Sequence, residues 1–297
     1  MSPISNAAVL RGPAIRRATV WGHFGEVLQG RLGADGPIAL VTLAAPGVAA
    51  LSAQAIWAPV RGAPLLVQPS PLKNLGERAF RAARRQADAP ARGWGGRLQA
   101  RARSRIGGGC GASTAVALAA LRVAAPALGA AREAEICLSV EGAVDPLMRA
   151  APGATLWASR QAEALARLSP PPRFLVVGGH DGPPRRTVDE SDAFDDVSDL
   201  AAAAVAACAK GDRAALAEVA TASAERRRRT ASSPHFQDVR ALAADIGALG
   251  VVIAHTGSAA GLLFAPEAGA AALRARAALS EIGLQETLIF ETGRAAA

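Results

Sequence analysis

Residues 107–115 read GGGCGASTA and run directly into an apolar, alanine-rich stretch that continues to Ala125. Four glycines in five positions leave the backbone without Cβ atoms, so that it can lie against a ligand or turn its amides inward. Ser113 and Thr114 follow where a helix should begin, and a helix N-terminus offers unpaired N–H groups and the positive end of the helix dipole. The stretch therefore predicts a phosphate-binding loop, although a tight loop with a purely structural role would have the same pattern.

The size and composition of the chain indicate a globular protein with a substantial core. It has 297 residues, of which 51% are hydrophobic, and this suits one large or two medium domains. No long uncharged apolar run is present, since Arg122 and Pro126 interrupt the best candidate at 116–131. The first residues lack the charged-then-apolar order of a secretory signal. We therefore expect a cytoplasmic protein that does not contact a membrane.

The three cysteines do not form a pattern typical of a cross-link or a metal site. Cys110, Cys137 and Cys208 are far apart, with no CxxC pair and no histidine at ligand spacing. This argues against a disulfide framework or a zinc site. Cys110 lies inside the glycine loop, where we expect it to fill an apolar slot.

The formal net charge is +8, and residues 226–229 form a run of four arginines. Such a balance is one signature of nucleic-acid binding. However, the basic residues are nearly all arginine in a chain rich in alanine, glycine and proline, and aromatic residues do not interleave with them. The run also closes a predicted helix, where cations favour the negative end of the dipole. A solvated helix end or a contact with an anionic substrate is favoured, and nucleic acid is not an expected partner.

The first 170 residues contain strand patterns around the glycine loop. Strands are predicted at 18–21, 38–43, 48–56 and 96–103, and helices at 72–85 and 132–140, with a further helix beginning at the Ser113-Thr114 pair. The helix after the glycine loop is apolar nearly all round, which is typical of a buried helix. The segment GHFGEVLQG at 22–30 is interpreted as a turn at Gly25-Glu26 after the first strand.

Three prolines at 170–172 mark a boundary, so we predict domains at 1–170 and 171–297. In the second half, strands are predicted at 174–177, 251–254, 262–265 and 287–291, and helices at 198–211, 212–229, 233–247 and 266–282. The order strand, helices, strand, strand, helix, strand is that of the split βαβ or ferredoxin-like fold, with extra helices in its first crossover. The predicted fold class is therefore α+β.

The glycine loop is neither a Walker A motif, which needs Gly-Lys-Ser/Thr after the glycines, nor a convincing dinucleotide fingerprint. Together with Gly25-Glu26 and the stretch HTGSAAG at 255–261, it resembles the motifs of the GHMP kinases, the superfamily of galactokinase, homoserine kinase, mevalonate kinase and phosphomevalonate kinase. The second GHMP motif, GLGSSAA, is similar to residues 109–115, and the third, glycine-rich motif is similar to 256–261. The resemblance covers nearly the whole chain. It implies an N-terminal ribosomal-protein-S5-domain-2-like α/β domain and a C-terminal ferredoxin-like domain.

Within that superfamily the chain more specifically resembles the L-threonine kinases of cobamide biosynthesis, which are also labelled propanediol-utilisation kinases. Their CGEL(I/V)QG motif is similar to residues 24–30, and their SSTA version of the phosphate loop is similar to residues 112–115. Their EPTD segment is similar to residues 141–145, and their closing LGALGxxxAHSGSxxG stretch is similar to residues 246–261. The chain departs from that pattern at Phe24, at Ala112, at 143–144 and at the arginine run.

The glycine loop is the predicted nucleotide site. Its main-chain N–H groups would wrap the β- and γ-phosphates of ATP, and the Ser113 hydroxyl would bind phosphate or Mg²⁺. The predicted ATP-binding residues are Gly107, Gly108, Gly109, Cys110, Gly111, Ala112, Ser113 and Thr114.

The resemblance also implies the catalytic and metal-binding residues. Asp145 would take the proton of the acceptor hydroxyl, although an Asp that simply opens a turn before Pro146 is the alternative. Ser113 would assist catalysis and bind Mg²⁺ together with Glu141, for which Glu135 is the alternative carboxylate. Mg²⁺ commonly combines one or two carboxylates with substrate phosphates.

The acceptor pocket is predicted from the first and third motifs. Glu26 and Gln29 would face the acceptor, and the floor of the site would be formed by Thr256, Gly257 and Ser258. For threonine, Glu26 would meet the ammonium group, and Arg31 or the run at 226–229 would pair with the carboxylate. His255 is expected to be a packed, hydrogen-bonded histidine rather than a catalyst.

These residues and the resemblance predict an ATP- and Mg²⁺-dependent kinase that phosphorylates an amino-acid alcohol. The favoured acceptor is L-threonine, and the product would be L-threonine O-3-phosphate for cobamide (vitamin B12) biosynthesis. Two alternatives stay open. One is a GHMP kinase that acts on homoserine or another small alcohol. The other is a non-catalytic basic protein that binds nucleic acid. The predicted assembly is a monomer or a homodimer, with ATP and a small alcohol as partners.

Overall fold

A computed structural model of the chain describes residues 14–86, 93–185, 194–228 and 234–293. A four-stranded sheet forms one layer of the first half. Its strands, in spatial order, are β1 (Arg16–Trp21), β4 (Ser52–Arg61), β6 (Trp94–Ala102) and β5 (Leu65–Val67). Neighbouring strands are antiparallel except for the parallel pair β5–β6. The helices of this half are α1 (Lys73–Gln86), α2 (Ala112–Ala124) and α3 (Ala130–Glu141).

Helix α2 lies at the centre of this half. It packs against β1, β4 and β6 on one side and against α1 and α3 on the other. Leu118 and Leu121 are completely buried, together with most of the other residues of the helix. Since a helix that is apolar all round is stable only when it is enclosed, the core holds α2 in place. The position of its N-terminus, directly after the glycine loop, is fixed as a result.

Strands from both halves of the chain form a second sheet of eight strands. In spatial order these are β12 (Gln285–Glu291), β9 (Leu175–His180), β11 (Ala259–Phe264), β10 (Gly250–Ile253), β2 (His23–Arg31), β3 (Ile38–Ala44), β7 (Thr155–Ala158) and β8 (Glu163–Arg167). The strands pair antiparallel throughout. The two halves join where Ile253 of β10 pairs with Glu26 of β2.

Four helices accompany the second half of this sheet. They are α4 (Ser198–Lys210), α5 (Arg213–Arg228), α6 (Phe236–Asp245) and α7 (Gly269–Glu281). Helix α5 packs against β10 and β2, and α7 packs against β9 and β12. The spatial order β12-β9-β11-β10, with the helices in the two crossovers, confirms the ferredoxin-like arrangement. Arg226 and Arg227 of the arginine run lie in the last described turn of α5, and Arg229 lies outside the described residues.

The interpretation of Gly25-Glu26 as a turn is wrong, because both residues lie inside strand β2. The strand is irregular at this point, with register shifts against β3 on both sides of Glu26 and a left-handed φ of +63° at Gly25. All residues from His23 to Leu28 are buried. The apolar–polar alternation of a half-buried strand is therefore absent, and a strand enclosed on both faces is hard to recognise from its sequence.

Other strand boundaries also differ from the prediction. Residues 49–51 form a short 3₁₀ turn, and the strand predicted over 48–56 begins only at Ser52. Strands β5, β7 and β8 were not predicted. They have only three to five residues, and β8 reads EALAR, a sequence with helical propensity that its pairing with β7 overrides. No helix in the described ranges is both long and apolar enough to cross a membrane.

Candidate active site

A cavity of about 750 Å³ brings the glycine loop together with β2 and with the segment that follows α3. Most of the predicted site residues line this cavity: Glu26, Gln29, Gly107, Gly109, Cys110, Gly111, Ala112, Ser113, Thr114, Glu141, Asp145 and Thr256. Its volume is typical of a pocket for a small molecule or cofactor. The three sequence motifs, which are up to about 230 residues apart, therefore meet at one site.

The glycine loop has the backbone geometry of an anion site. Gly107, Gly109 and Gly111 have φ values of +76°, +75° and +69°, alternating with residues that do not have a left-handed φ. Alternating backbone conformations of this kind turn successive N–H groups toward a common centre. Gly111 caps the N-terminus of α2 without a side-chain hydrogen bond. The N–H groups of the first helical turn have no acceptor within the helix, so they are available to a phosphate.

Close backbone packing holds the glycine loop against the first and third motifs. Gly25 N donates to Gly109 O at 3.2 Å, and Ser258 N donates to Gly108 O at 3.1 Å. A Cβ atom on Gly257 would lie 2.3 Å from Gly109 N, so only glycine fits there. Gly257 and Ser258 therefore lie behind the loop and do not line the cavity, whereas Thr256 does. Cys110 is buried in the apolar core, as predicted.

Ser113 and Glu141 form the candidate metal site. Ser113 Oγ donates to Glu141 Oε2 at 2.5 Å. Burial raises the pKa of Glu141 to about 8, and the nearby Asp145 adds to this against the opposing effect of the Ser113 hydrogen bond. Glu141 Oε1 is also buried, and it has no hydrogen-bond partner. A buried carboxylate oxygen without a partner, beside a hydroxyl at a phosphate loop, fits Mg²⁺ that takes its remaining ligands from phosphates and water.

The alternative carboxylate, Glu135, lies elsewhere. Its side chain is 58% exposed and pairs with Arg132 on the same helix, α3. It does not line the cavity. Among the described residues, no three His, Cys, Asp or Glu side chains form a cluster that would hold a metal by themselves. Of the two candidate carboxylates, only Glu141 lies at the phosphate loop.

Asp145 is held beside the phosphate loop by its own backbone. Its N–H donates to Thr114 Oγ1 at 3.2 Å, and Thr114 Oγ1 in turn lies 3.4 Å from Glu141 Oε2. The side chain is 23% exposed, so the carboxylate can be reached from the cavity. Thr114 therefore links the position of Asp145 to that of the candidate metal ligand. This geometry suits a group that accepts a proton from a bound alcohol.

Sequence analysis assigned no role to His23, which lies in the cavity beside Asp145. The ring is 1% exposed, and its Nε2 is 3.4 Å from Asp145 Oδ2. The only signal in the sequence was a histidine two residues before Gly25-Glu26. This histidine alone did not predict a site residue, because its contact with Asp145 depends on the packing of a segment more than 100 residues away in the sequence.

Glu26 lines the cavity, but its carboxylate already has partners. Oε2 accepts a hydrogen bond from the backbone N–H of His255 at 2.9 Å and lies 3.2 Å from Nδ1 of the same residue. His255 Nε2 is 2.8 Å from Ser223 Oγ on α5. His255 is thus a buried, hydrogen-bonded histidine, as expected. This chain of contacts ties the third motif to β2 and α5.

Replacing Glu26 with glutamine should lower the free energy of unfolding by about 1–3 kcal/mol, because His255 loses a charged acceptor for its backbone N–H. Urea unfolding measures the change, and the exposed Glu281→Gln on α7 is the control, expected to change stability by less than about 0.5 kcal/mol. Unchanged stability combined with a weaker interaction with an amine-bearing substrate would instead identify Glu26 as a substrate ligand.

The arginines proposed for an acceptor carboxylate have other contacts. Arg31 donates to Gly36 O at 3.0 Å, and Arg226 pairs with Asp199 at 2.5 Å. Arg227 is buried and donates to His255 O at 2.8 Å. The side chain of residue 228 and all of residue 229 lie outside the described residues. Among the described residues, the arginines that line the cavity are instead Arg160 and Arg185, which were not predicted as site residues.

Comparisons with known proteins agree with this architecture. Residues 204–281, from within α4 to the end of α7, match the family model described as GHMP kinases C terminal. Mevalonate kinase from L. major, solved in complex with R-mevalonate, is 15% identical, with a TM-score of 0.67 over 95% of this chain and 97% of that chain. Homoserine kinase from Cytophaga hutchinsonii is 13% identical, with a TM-score of 0.61 over 95% and 96%.

A 4-(cytidine 5'-diphospho)-2C-methyl-D-erythritol kinase is also similar, at 21% identity and a TM-score of 0.57 over 94% of this chain and 100% of that chain. No curated protein sequence matches the chain. At these identities the likeness concerns the fold. The chain therefore has the two-domain α+β fold of the GHMP kinases, and its residues 204–281 match the C-terminal domain of that family.

Proposed function

We propose that the chain is an ATP-dependent kinase that transfers a phosphoryl group to the hydroxyl of a small alcohol. The observation that carries this proposal is the short Ser113–Glu141 contact at the N-terminus of α2, with Asp145 hydrogen-bonded to Thr114 in the same cavity. An anion-binding loop, a hydroxyl–carboxylate pair suited to Mg²⁺ and a reachable carboxylate are the parts that phosphoryl transfer requires.

In the proposed reaction, the glycine loop binds the β- and γ-phosphates through its main-chain N–H groups. Ser113 and Glu141 would hold Mg²⁺, which when bound neutralises charge on the transferred group. The acceptor oxygen forms a bond to the γ-phosphorus while the bond from that phosphorus to the β–γ bridging oxygen breaks. The hydroxyl proton passes to Asp145, and ADP leaves. The apolar side chains of Pro71, Leu72 and Ile106 also line the cavity and suit the flat base of the nucleotide.

We further propose an amino-acid alcohol as the acceptor, with L-threonine first. The sequence resemblance at residues 112–115 and 246–261 supports threonine. Arg160 and Arg185 line the cavity and could pair with a substrate carboxylate or with phosphate. Homoserine is the second candidate, since the fold is also similar to that of a homoserine kinase. The role in cobamide biosynthesis, the domain boundary at 170, the cytoplasmic location and the monomeric or homodimeric state remain predictions.

The test is an assay of ADP release by the purified full chain with Mg-ATP and L-threonine, L-serine, homoserine or mevalonate. Turnover that depends on L-threonine is the expected result. Ser113→Ala should lower kcat about 10²-fold because it removes a phosphate or metal contact, and Asp145→Asn should lower it about 10²-fold because it removes the proton acceptor. Ser139→Ala on α3 is the matched control, since its hydroxyl donates to the Ile136 carbonyl of the same helix and does not line the cavity.

The outcomes separate the candidate functions. Turnover with homoserine but not threonine would keep the chemistry and change the acceptor. No turnover with any of the alcohols, together with salt-sensitive binding to nucleic acid, would refute the kinase and favour the basic-surface alternative. An equal loss in Ser113→Ala and Ser139→Ala would contradict the role given to Ser113.

A further inference from the structure

His23 lies between two carboxylates in the wall of the cavity. Its ring is buried, with Nε2 3.4 Å from Asp145 Oδ2 and Nδ1 3.9 Å from Glu26 Oε1. Nδ1 is also 3.1 Å from the carbonyl oxygen of Gly25. The two carboxylates come from different parts of the chain, Glu26 from the same strand β2 and Asp145 from the segment after α3. In the proposed reaction Asp145 accepts the hydroxyl proton, and His23 has no assigned role.

The neighbours of the ring favour a proton on both nitrogens. A carbonyl oxygen can only accept a hydrogen bond, so Nδ1 carries a proton toward Gly25. An ionised carboxylate can also only accept, so a bare Nε2 would direct its lone pair at Asp145 Oδ2. A second proton on Nε2 turns this repulsion into an attraction between an imidazolium and a carboxylate. The arrangement therefore favours a positively charged His23 beside an ionised Asp145.

The electrostatics agree with this geometry. Burial by itself would lower the pKa of His23, but Asp145, Glu26 and the Gly25 carbonyl together raise it to about 9. The charged groups beside the ring are Asp145 and Glu26. On the glycine loop, Cys110 contacts His23 through its backbone carbonyl, and the pKa of its thiol is raised by burial and by the same two carboxylates. Cys110 is thus neutral, and the charge of the cluster is set by the two carboxylates and His23.

The glycine loop fixes the ring in this position. A Cβ atom on Gly111 would lie 2.8 Å from Cδ2 and 2.9 Å from Nε2 of His23, and 3.3 Å from Asp145 Oδ2. The loop backbone therefore packs directly on both partners of the pair. The backbone N–H of His23 also donates a hydrogen bond to Cys110 O at 3.4 Å. A change in the position of the ring would move Asp145 relative to the phosphate loop.

We propose that His23 is a positioning residue for Asp145: as an imidazolium held by the Gly25 carbonyl and the glycine loop, it pairs with the carboxylate and orients it for the acceptor hydroxyl. The proposal rests on the proposed kinase function. During transfer the hydroxyl proton passes to Asp145, and His23 keeps both of its protons. Deprotonation of His23 removes the ion pair, so activity should decline as the pH rises through about 9.

Two variants separate the roles of the two ring nitrogens. His23→Gln can still donate a hydrogen bond toward Asp145 but carries no charge, whereas His23→Asn can reach only the Gly25 side. We expect kcat with the preferred alcohol to fall about 10²-fold in His23→Asn, the scale of a misplaced catalytic group, and less in His23→Gln. The KM for ATP should stay within about twofold in both. The decline in kcat/KM near pH 9 should disappear in both variants.

A second measurement does not depend on turnover. The ring protons of His23 in the ligand-free chain, assigned by their absence from the NMR spectrum of His23→Gln, should titrate well above the usual midpoint of about 6.5. In Asp145→Asn this midpoint should fall, since the main attractive charge is gone. The titration decides whether the ion pair exists even if no alcohol is phosphorylated, a result that would refute the kinase function itself.

The inference is overturned by either of two results. One is a His23 that is neutral at pH 7 or whose midpoint is unchanged in Asp145→Asn. The other is a charged His23 whose replacement leaves kcat and the pH profile of an active wild-type enzyme unaltered. A parallel loss of activity and of folded protein would indicate a purely structural role, which circular dichroism of both variants detects.

Discussion

Glu141→Gln should lower kcat about 10³-fold, at the upper end of what the loss of one preorganised charged group costs. The glutamine side chain has nearly the same volume and can still accept the Ser113 hydrogen bond, but it lacks the charge that binds Mg²⁺. Glu135→Gln is the matched control on the same helix, because its side chain is exposed and outside the cavity. Steady-state kinetics over a range of Mg²⁺ concentrations measures both variants, and equal losses would contradict the assignment of Glu141.

The same substitution also has an expected effect on stability. Because the pKa of Glu141 is raised from 4.5 to about 8, the folded ligand-free chain binds more protons at this site than the unfolded chain between these pH values. Stability from this site therefore falls as the pH rises from about 4.5 to about 8. In Glu141→Gln this decline should be absent. Thermal unfolding at pH 5 and pH 8, without Mg²⁺, measures this pH dependence of stability. An identical pH dependence in wild type and variant would show that burial does not raise the pKa of Glu141.

Gly109→Ala should be the most destabilising of the changes considered, by about 3 kcal/mol or more. Its Cβ atom would lie 2.1 Å from the Cβ atom of Ala254 and 3.2 Å from Gly257 Cα, and its φ is +75°. The glycine loop and the third motif would have to separate, which also removes the phosphate site. Urea unfolding measures the loss of stability, and ADP release measures the loss of activity.

Gly211→Ala is the control that isolates the effect of close packing. Gly211 caps the C-terminus of α4 with a φ of +64°, but a Cβ atom there would meet nothing within 4 Å. Only backbone strain remains, so we expect a loss of about 1 kcal/mol. Equal losses at the two positions would show that the contact between the glycine loop and the third motif is not the cause.

The parts of the site that the sequence predicted depend on local chemistry. Glycines followed by Ser-Thr and an apolar run indicate a loop and a buried helix wherever they occur, and α2 begins at Ala112, one residue before the predicted start at the Ser-Thr pair. The ferredoxin-like order also followed from local patterns, since each helix and strand of the second half is long enough or well enough bounded to be recognised. In the first half the short strands β5, β7 and β8 were missed, and so was β2, whose two buried faces hide its strand character.

Contacts between distant segments could not be predicted in this way. Nothing local in β2 indicates that His23 meets Asp145, or that Ile253 pairs with Glu26 and joins the two halves in one sheet. Arg160 lies in the turn between two strands that were not predicted, so its place in the cavity was not foreseen either. The sequence pointed instead to Arg31 and the run at 226–229, but Arg31 donates to Gly36 O and Arg226 pairs with Asp199.

The sequence by itself determined the phosphate loop, the buried helix behind it and the order of elements in the second half, because these follow from backbone freedom, helix capping and hydrophobic pattern over neighbouring residues. Only the tertiary structure decided that Glu141 rather than Glu135 lies at the loop, and that His23 lies beside Asp145. The physical reason is that charge and proton position depend on burial and on partners a few ångströms away. Those partners are brought together by the packing of α2 and by the eight-stranded sheet.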